Sequence, residues 1–101
     1  MLTEIIHNAI KFADNTYKVE MTSQHIAIRN DGAPFNEAGW KKSLKSKSYP
    51  EICLRHLLEF NIGFGPNGTG TEVKISGYDI HHAALRIPIN AKEIRHAQDY
   101  F

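Results

Sequence analysis

"EIIHNAIKFA", residues 4–13, decides how the rest of this 101-residue chain is read. Leu2, Ile5, Ile6, Ala9, Phe12 and Ala13 recur at helical period, so the spacing predicts a helix over 2–13 with one broad apolar face. At about 100° per residue, Glu4, Asn8, Lys11 and Asn15 fall in one stripe on the other side, with His7 at its border. Such a stripe is compatible with a plain solvated face. It is also a chemically matched set. A carboxylate can polarise a water as a general base. An amide oxygen is a hard ligand suited to Mg2+. An ammonium one turn on can meet phosphate oxygens. Taken together, these are parts of a Mg-nucleotide site.

Outward from that helix, period-two alternation takes over. "TYKVEM", 16–21, and "HIAIRN", 25–30, each alternate apolar with polar residues, and the short "TSQ" between them predicts an antiparallel hairpin. "NDGAPF", 30–35, is turn chemistry. "NEAGWKKSL", 36–44, reads as a short helix capped by Asn36. "KSKSYP", 45–50, reads as a basic loop. Pro50 then opens a helix that "EICLRHLLEFNI", 51–62, continues. "GFGPNGTGT", 63–71, holds four glycines and reads as irregular. "EVKIS", 72–76, and "AALRIPI", 83–89, read as strands joined through "GYDIHH". Asn90 and Glu93 match a capping box for a last helix, 91–100.

This α-β-β-α-α-β-β-α order predicts an α/β (α+β) two-layer sandwich, a mixed, mainly antiparallel sheet covered by helices on one face. One domain over residues 1–101 fits the length, and no repeat or linker interrupts it. Hydrophobic residues at 42% and charged residues at 23% fit a globular chain rather than a disordered one. A net charge of +1 argues against a nucleic-acid partner. No apolar run approaches the ~18 residues of a membrane span. Glu4 stands where an export signal would be basic and then apolar. Cys53 is the only cysteine, so a cytoplasmic, reducing setting is expected. His81 and His82 are neighbours, which is poor spacing for one metal ion on a strand.

Three of these segments resemble the GHKL, or Bergerat, ATP-binding fold of sensor histidine kinases, type II topoisomerases, large heat-shock chaperones and mismatch-repair ATPases. The histidine kinase catalytic domain is the nearest likeness, and it spans nearly the whole chain. "EIIHNAIKFA" resembles the N box, in which an Asn follows a Glu by four residues. "NDGAPF" resembles the G1 box, usually Asp-x-Gly-x-Gly. "GTGTEVKIS…AALRIPI" resembles the hairpin that closes the domain. The resemblance implies ATP or ADP bound with Mg2+. Glu4 takes the place of the water-polarising, catalytic carboxylate and Asn8 that of the Mg2+ ligand. Lys11 would approach the phosphates, and Gly32 would let the backbone come close to adenine. Thr71, in the glycine-rich approach to the closing hairpin, joins the nucleotide-binding set.

The departures matter as much. Aligned on Gly32, the adenine-reading Asp of the family falls on Asn30, whose oxygen could accept from the adenine amino group. A one-residue shift would present Asp31 instead, but would reverse the side chain's direction. Pro34 replaces the second Gly of the box. "SLKSKSYPEICLRHL" has no glycine, so the G2 box, where a helix N-terminus receives phosphate, is missing. Lys45, Lys47 and Ser48 are the groups there that could supply charge or hydrogen bonds. The chain starts almost at the N box, and no helix pair carrying a phospho-acceptor His accompanies it. The expectation is therefore a minimal kinase-like ATPase domain, its phospho-acceptor or signalling partner on another segment or chain. A degenerate, non-catalytic member serving as a protein-interaction module is the alternative. A serine-kinase-type anti-sigma regulator is a third reading.

Overall fold

Leu2, Ile5, Ile6 and Ala9 turn the face their spacing predicts toward a sheet, on the helix α1 (Leu2–Phe12). The computed structural model describes residues 1–78 and Ile80. After α1 come β1 (Tyr17–Met21), β2 (His25–Asn30), α2 (Glu37–Lys42), α3 (Lys45–Arg55), β3 (Glu59–Phe64) and β4 (Thr71–Ser76). The sheet order is β1-β2-β4-β3, with every neighbouring pair antiparallel. The predicted α+β sandwich is thus the fold found. The strand at 83–89 and the helix at 91–100 lie outside the described residues.

Register makes two apolar rows across the inner face. Val19, Ile28, Val73 and Ile62 form one; Met21, Ile26, Ile75 and Phe60 form the next. Ile5 and Ala9 of α1 and Ile52 and Cys53 of α3 cluster with the central residues of these rows, and Ile80 is buried among them. The opposite face carries charge. Arg29 lies 2.9 Å from Glu72 and 3.7 Å from Glu20, and His25 meets Glu20 at 3.0 Å. Burying one Ile or Val contributes about 1.5–3 kcal/mol, whereas an exposed ion pair contributes roughly 0–1 kcal/mol. The apolar rows therefore hold the layers together, and the charges mark the wet side.

Both short-range predictions near α1 hold. Thr22 closes the β1–β2 turn, its Oγ1 accepting from the backbone N–H groups of Gln24 and His25. Asn36 caps α2, its Oδ1 accepting from the Gly39 N–H at 3.0 Å.

The stretch from 45 to 71 departs from expectation. "KSKSYP" is the start of α3 rather than a loop, and Pro50 stands inside that helix rather than opening it. Ser48, Tyr49, Ile52 and Cys53 supply the buried stripe that makes these residues helical. The helix also stops early. Leu57 takes a left-handed φ of 60°. The Leu58 N–H reaches the Cys53 carbonyl and the Leu57 N–H reaches the Leu54 carbonyl, the two bonds of a Schellman stop. "EFNIGF" is then a strand, with Phe60 and Ile62 turned to the core. The glycine stretch is the β3–β4 connection, with one 3-10 turn over Pro66–Gly68. β4 pairs with β3 on one side and β2 on the other. Part of the predicted "GYDIHH" connection, and the strand it was to reach, lie outside the described residues.

Candidate functional site

Bordered by residues of α1, α2, α3 and the sheet lies a cavity of about 700 Å³. That lies within the span of roughly 300–1,000 Å³ typical of small-molecule sites. Ile28, Val73 and Ile62 border it from the sheet, Ile5, Ala9 and Phe12 from α1, and Phe35, Trp40, Tyr49 and Phe60 add aromatic walls. Trp40 stacks on Phe60 with ring centroids 5.9 Å apart and packs against Tyr49 at 6.1 Å. Asn8, Asn30, Lys45 and Thr71 bring polar groups to the rim and walls.

Asn30 is held from three sides. Its Nδ2 donates to the Ala9 carbonyl at 3.2 Å, satisfying an acceptor near the C-terminal end of α1. Its Oδ1 accepts from the Gly32 N–H at 3.3 Å and from the Thr71 N–H at 3.2 Å. The amide orientation follows from these partners, because a carbonyl needs a donor and an N–H needs an acceptor. Both lone pairs of Oδ1 are engaged, so the oxygen expected to accept from adenine is already occupied. Thr71 comes this close because Gly70 precedes it. Gly70 has φ 62°, and a Cβ there would overlap the Asn30 carbonyl oxygen.

Gly32 and Asp31 act elsewhere. A Cβ on Gly32 would overlap the Phe12 carbonyl oxygen, so this glycine admits the end of α1. Asp31 turns to the α1–β1 connection. Its carboxylate accepts from the backbone N–H groups of Asp14, Asn15 and Thr16 at 3.0, 2.9 and 3.0 Å. Those bonds, Thr16's foremost and Asn15's next, hold its pKa below the ordinary aspartate value. Neither residue borders the cavity.

On α1, Asn8 is half-buried at the cavity wall, and its amide has no protein partner among the described residues. Glu4, one turn earlier, forms an ion pair with Lys45 of α3. Glu4 Oε2 and the Tyr49 hydroxyl are buried without a hydrogen bond of good geometry. Burial first, and then the Glu4 charge, push the Tyr49 phenol well above the usual tyrosine range. Lys11 is exposed, with Nζ 5.2 Å from the centre of the Phe12 ring, and stays outside the cavity.

The start of α3 offers no free backbone donors. Lys45 N–H goes to Ser43 Oγ, Ser46 N–H to the Ser43 carbonyl, and the N–H groups of Lys47 and Ser48 to the Leu44 carbonyl. Lys47 lies 4.0 Å from Glu51, and Ser48 is buried. Of the cationic groups the sequence pointed to, Lys45 is the one that borders the cavity.

No family model, curated protein or solved structure matches the chain. Placement of the residues singled out from sequence is therefore the main guide. Asn8, Asn30 and Thr71 come together at one cavity, with Glu4 behind Lys45. Lys11, Asp31 and Gly32 do not reach it. The aromatic walls from Phe35, Trp40, Tyr49 and Phe60 were not legible as site residues, since each sits in a different element and only the folded chain assembles them.

Proposed function

We propose that this cavity binds a purine nucleotide with Mg2+, ATP and ADP being the nucleotides that the motif resemblance implies. The observation that carries the reading is the convergence of Asn8, Asn30 and Thr71, from three separate elements, on one cavity of about 700 Å³. Aromatic and aliphatic walls suit a base, and a few polar groups suit its orientation. Lys45 borders the cavity, and its ammonium, now paired with Glu4, would have to exchange that partner for phosphate oxygens.

The residues present fit the metal in a particular way. No group of three His, Cys, Asp or Glu residues among those described could hold an ion unaided. Mg2+ commonly takes one or two protein oxygens and completes its shell with waters and substrate phosphates. The Asn8 amide, which has no partner among the described residues, would supply one such oxygen, and bound Mg2+ would neutralise part of the phosphate charge. With the N-terminal amides of α3 already used, the protein's own contribution to that neutralisation falls to Lys45. Glu4 does not border the cavity, so the reading is of binding first. Phosphoryl transfer to a histidine on another segment or chain is the further step that the resemblance implies, in a cytoplasmic setting.

A second reading is a degenerate member that binds a protein. The used-up amides favour it, as do Tyr17, Val19 and Met21, which stay exposed along β1 at the edge of the sheet. Titration with ATP and ADP, each with and without Mg2+, separates the two. Metal-dependent binding that weakens about tenfold or more in Asn8→Ala is expected. No binding under any of the four conditions would remove the nucleotide reading and leave the interaction module.

A further inference from the structure

β1 ends the sheet on an open edge, and its five residues, Tyr17–Met21, decide what can close that edge. The Thr22 N–H reaches the His25 carbonyl, and the Asp31 N–H reaches the Thr16 carbonyl. Hydrogen-bonded pairs alternate along an antiparallel ladder, so in this register Lys18 and Glu20 are the residues bonded to β2. The N–H and C=O groups of Tyr17, Val19 and Met21 therefore point away from β2, where the sheet of described residues has no further strand. The side chains of the same three residues lie on the inner face, yet they are 53%, 38% and 59% exposed. The other edge, β3, differs, because its Phe60 and Ile62 pack against the core. Neither a proline nor a bulge, the common protections of an edge strand, interrupts β1.

A second copy of β1 fits this edge in one register. Antiparallel pairing has to set the odd-numbered residues against one another, because they carry the open backbone groups. A two-fold axis at Lys18 would oppose two ammoniums, and one at Glu20 two carboxylates, both unfavourable across a ladder. An axis at Tyr17 or Met21 leaves part of the strand unpaired. An axis at Val19 sets Lys18 against the partner's Glu20, Glu20 against the partner's Lys18, Val19 against the partner's Val19 and Tyr17 against the partner's Met21. Opposite charges then meet on the wet face. On the inner face a valine pair is flanked by two aromatic–thioether pairs. "YKVEM", 17–21, is thus its own complement. We propose that β1 is a self-association edge, through which two copies of this chain join their four-stranded sheets into one continuous sheet about a two-fold axis at Val19. The edge is open whatever the cavity binds. One short strand pair buries less than the roughly 1,200–2,000 Å² of a stable interface, so the dimer is weak and forms as concentration rises.

Sedimentation equilibrium of the native chain between about 10 µM and about 1 mM should show monomer passing to dimer, with a dissociation constant on the order of 100 µM. A monomer throughout overturns the proposal. Lys18→Glu and Glu20→Lys test the register. Each alone opposes like charges at both 18–20 pairs and should weaken dimerisation about tenfold or more. An equimolar mixture of the two should restore it, since a strand with two carboxylates then faces one with two ammoniums. Dimerisation that neither variant weakens overturns the proposal. Glu20 also meets His25 and Arg29, so its variant can fail to fold, and amide exchange on the native chain is the independent measurement. Between the same two concentrations, the slowing of exchange should centre on the Tyr17, Val19 and Met21 amides. Dimerisation that leaves these three exchanging as fast as in the monomer places the contact on another surface and overturns the proposal.

Discussion

Lys45 meets the Glu4 carboxylate, so an ion pair ties the first turn of α3 to the first turn of α1. The Lys45 side chain is 38% exposed and that of Glu4 only 17%. The two partners therefore lose unequally when separated. Lys45→Met strands a mostly desolvated carboxylate and should lower stability by about 1–3 kcal/mol, between the exposed and buried limits for such pairs. Glu4→Gln leaves a lysine that can turn to water and should lower it by about 1 kcal/mol or less. Urea unfolding of both single variants and the double variant measures the coupling. Strictly additive losses would show that the pair contributes nothing. If the cavity holds a nucleotide, Lys45→Met should also weaken Mg-ADP by about tenfold, and Glu4→Gln should not.

The Asp31 carboxylate, bonded to three successive backbone N–H groups, gives the fold an acid-sensitive point. Its folded pKa lies below the ordinary value of 3.8. A depressed carboxylate contributes stability that is fully present above the unfolded pKa and is lost as pH falls through the folded one. Unfolding midpoints should therefore hold from pH 7 to about 5 on account of this group and decline below about 4. Asp31→Asn should be less stable at pH 7 and show a shallower decline on acidification. An identical acid limb in the variant would assign the pH dependence to other groups.

Leu57 is strained, being a non-glycine residue at φ 60° with its side chain 88% exposed. Left-handed backbone costs an ordinary residue about 1–2 kcal/mol relative to glycine. Little packing is lost by removing so exposed a side chain. Leu57→Gly should therefore raise stability by about 1 kcal/mol, read as a higher denaturant midpoint at unchanged slope. A lower midpoint would mean that Leu57 packs in a way its exposure does not reveal.

The same residue explains why part of the fold was legible and part was not. α1, the β1–β2 hairpin and the Asn36 cap rest on local signals, namely period, turn chemistry and a capping side chain. The end of α3 has no glycine to announce it, since Leu57 occupies the left-handed position. Leu57 and Leu58 therefore continue the helical period by eye, and "EFNIGF" is absorbed into it. The site divides similarly. Asn8, Asn30 and Thr71, singled out by the motif resemblance, all border the cavity. Periodicity places Lys11 in the same stripe as Asn8, but only tertiary packing decides that one lines the cavity and the other lies over Phe12. Asp31 and Gly32 sit in turn chemistry whose partners, at the end of α1, are distant in sequence.

Cys53 is fully buried between α3 and the sheet, and burial pushes its thiol up to about 12. At pH 8 the folded protein should therefore hold almost no thiolate, the reactive form. Labelling by a thiol-specific reagent should proceed only through opening of the structure, slower than in urea-unfolded chain by about a thousandfold or more. The rate should follow stability across the variants above, rising for Lys45→Met and falling for Leu57→Gly. Fast labelling of the native chain, insensitive to those substitutions, would place the thiol at the surface.

Gly70 and Gly63, at either end of the β3–β4 connection, should respond in opposite ways to the same substitution. Gly70 has φ 62°, and a Cβ there would strike the Asn30 carbonyl oxygen, which is backbone and cannot rotate away. Gly63 lies in β3, where an added Cβ meets nothing within 4 Å. Gly70→Ala should lower stability by about 2–4 kcal/mol, from left-handed strain plus displacement of β4 from Asn30. Gly63→Ala should be neutral or gain up to about 1 kcal/mol by reducing unfolded-state freedom. At this chain length about 1 kcal/mol moves the melting temperature by about 4–8 °C, so the two variants should separate by about 8 °C or more. The displacement in Gly70→Ala also pulls the Thr71 N–H from Asn30 Oδ1 and frees an acceptor lone pair at the cavity. Equal melting temperatures would mean that the connection yields at no cost and that Asn30 is not held by it.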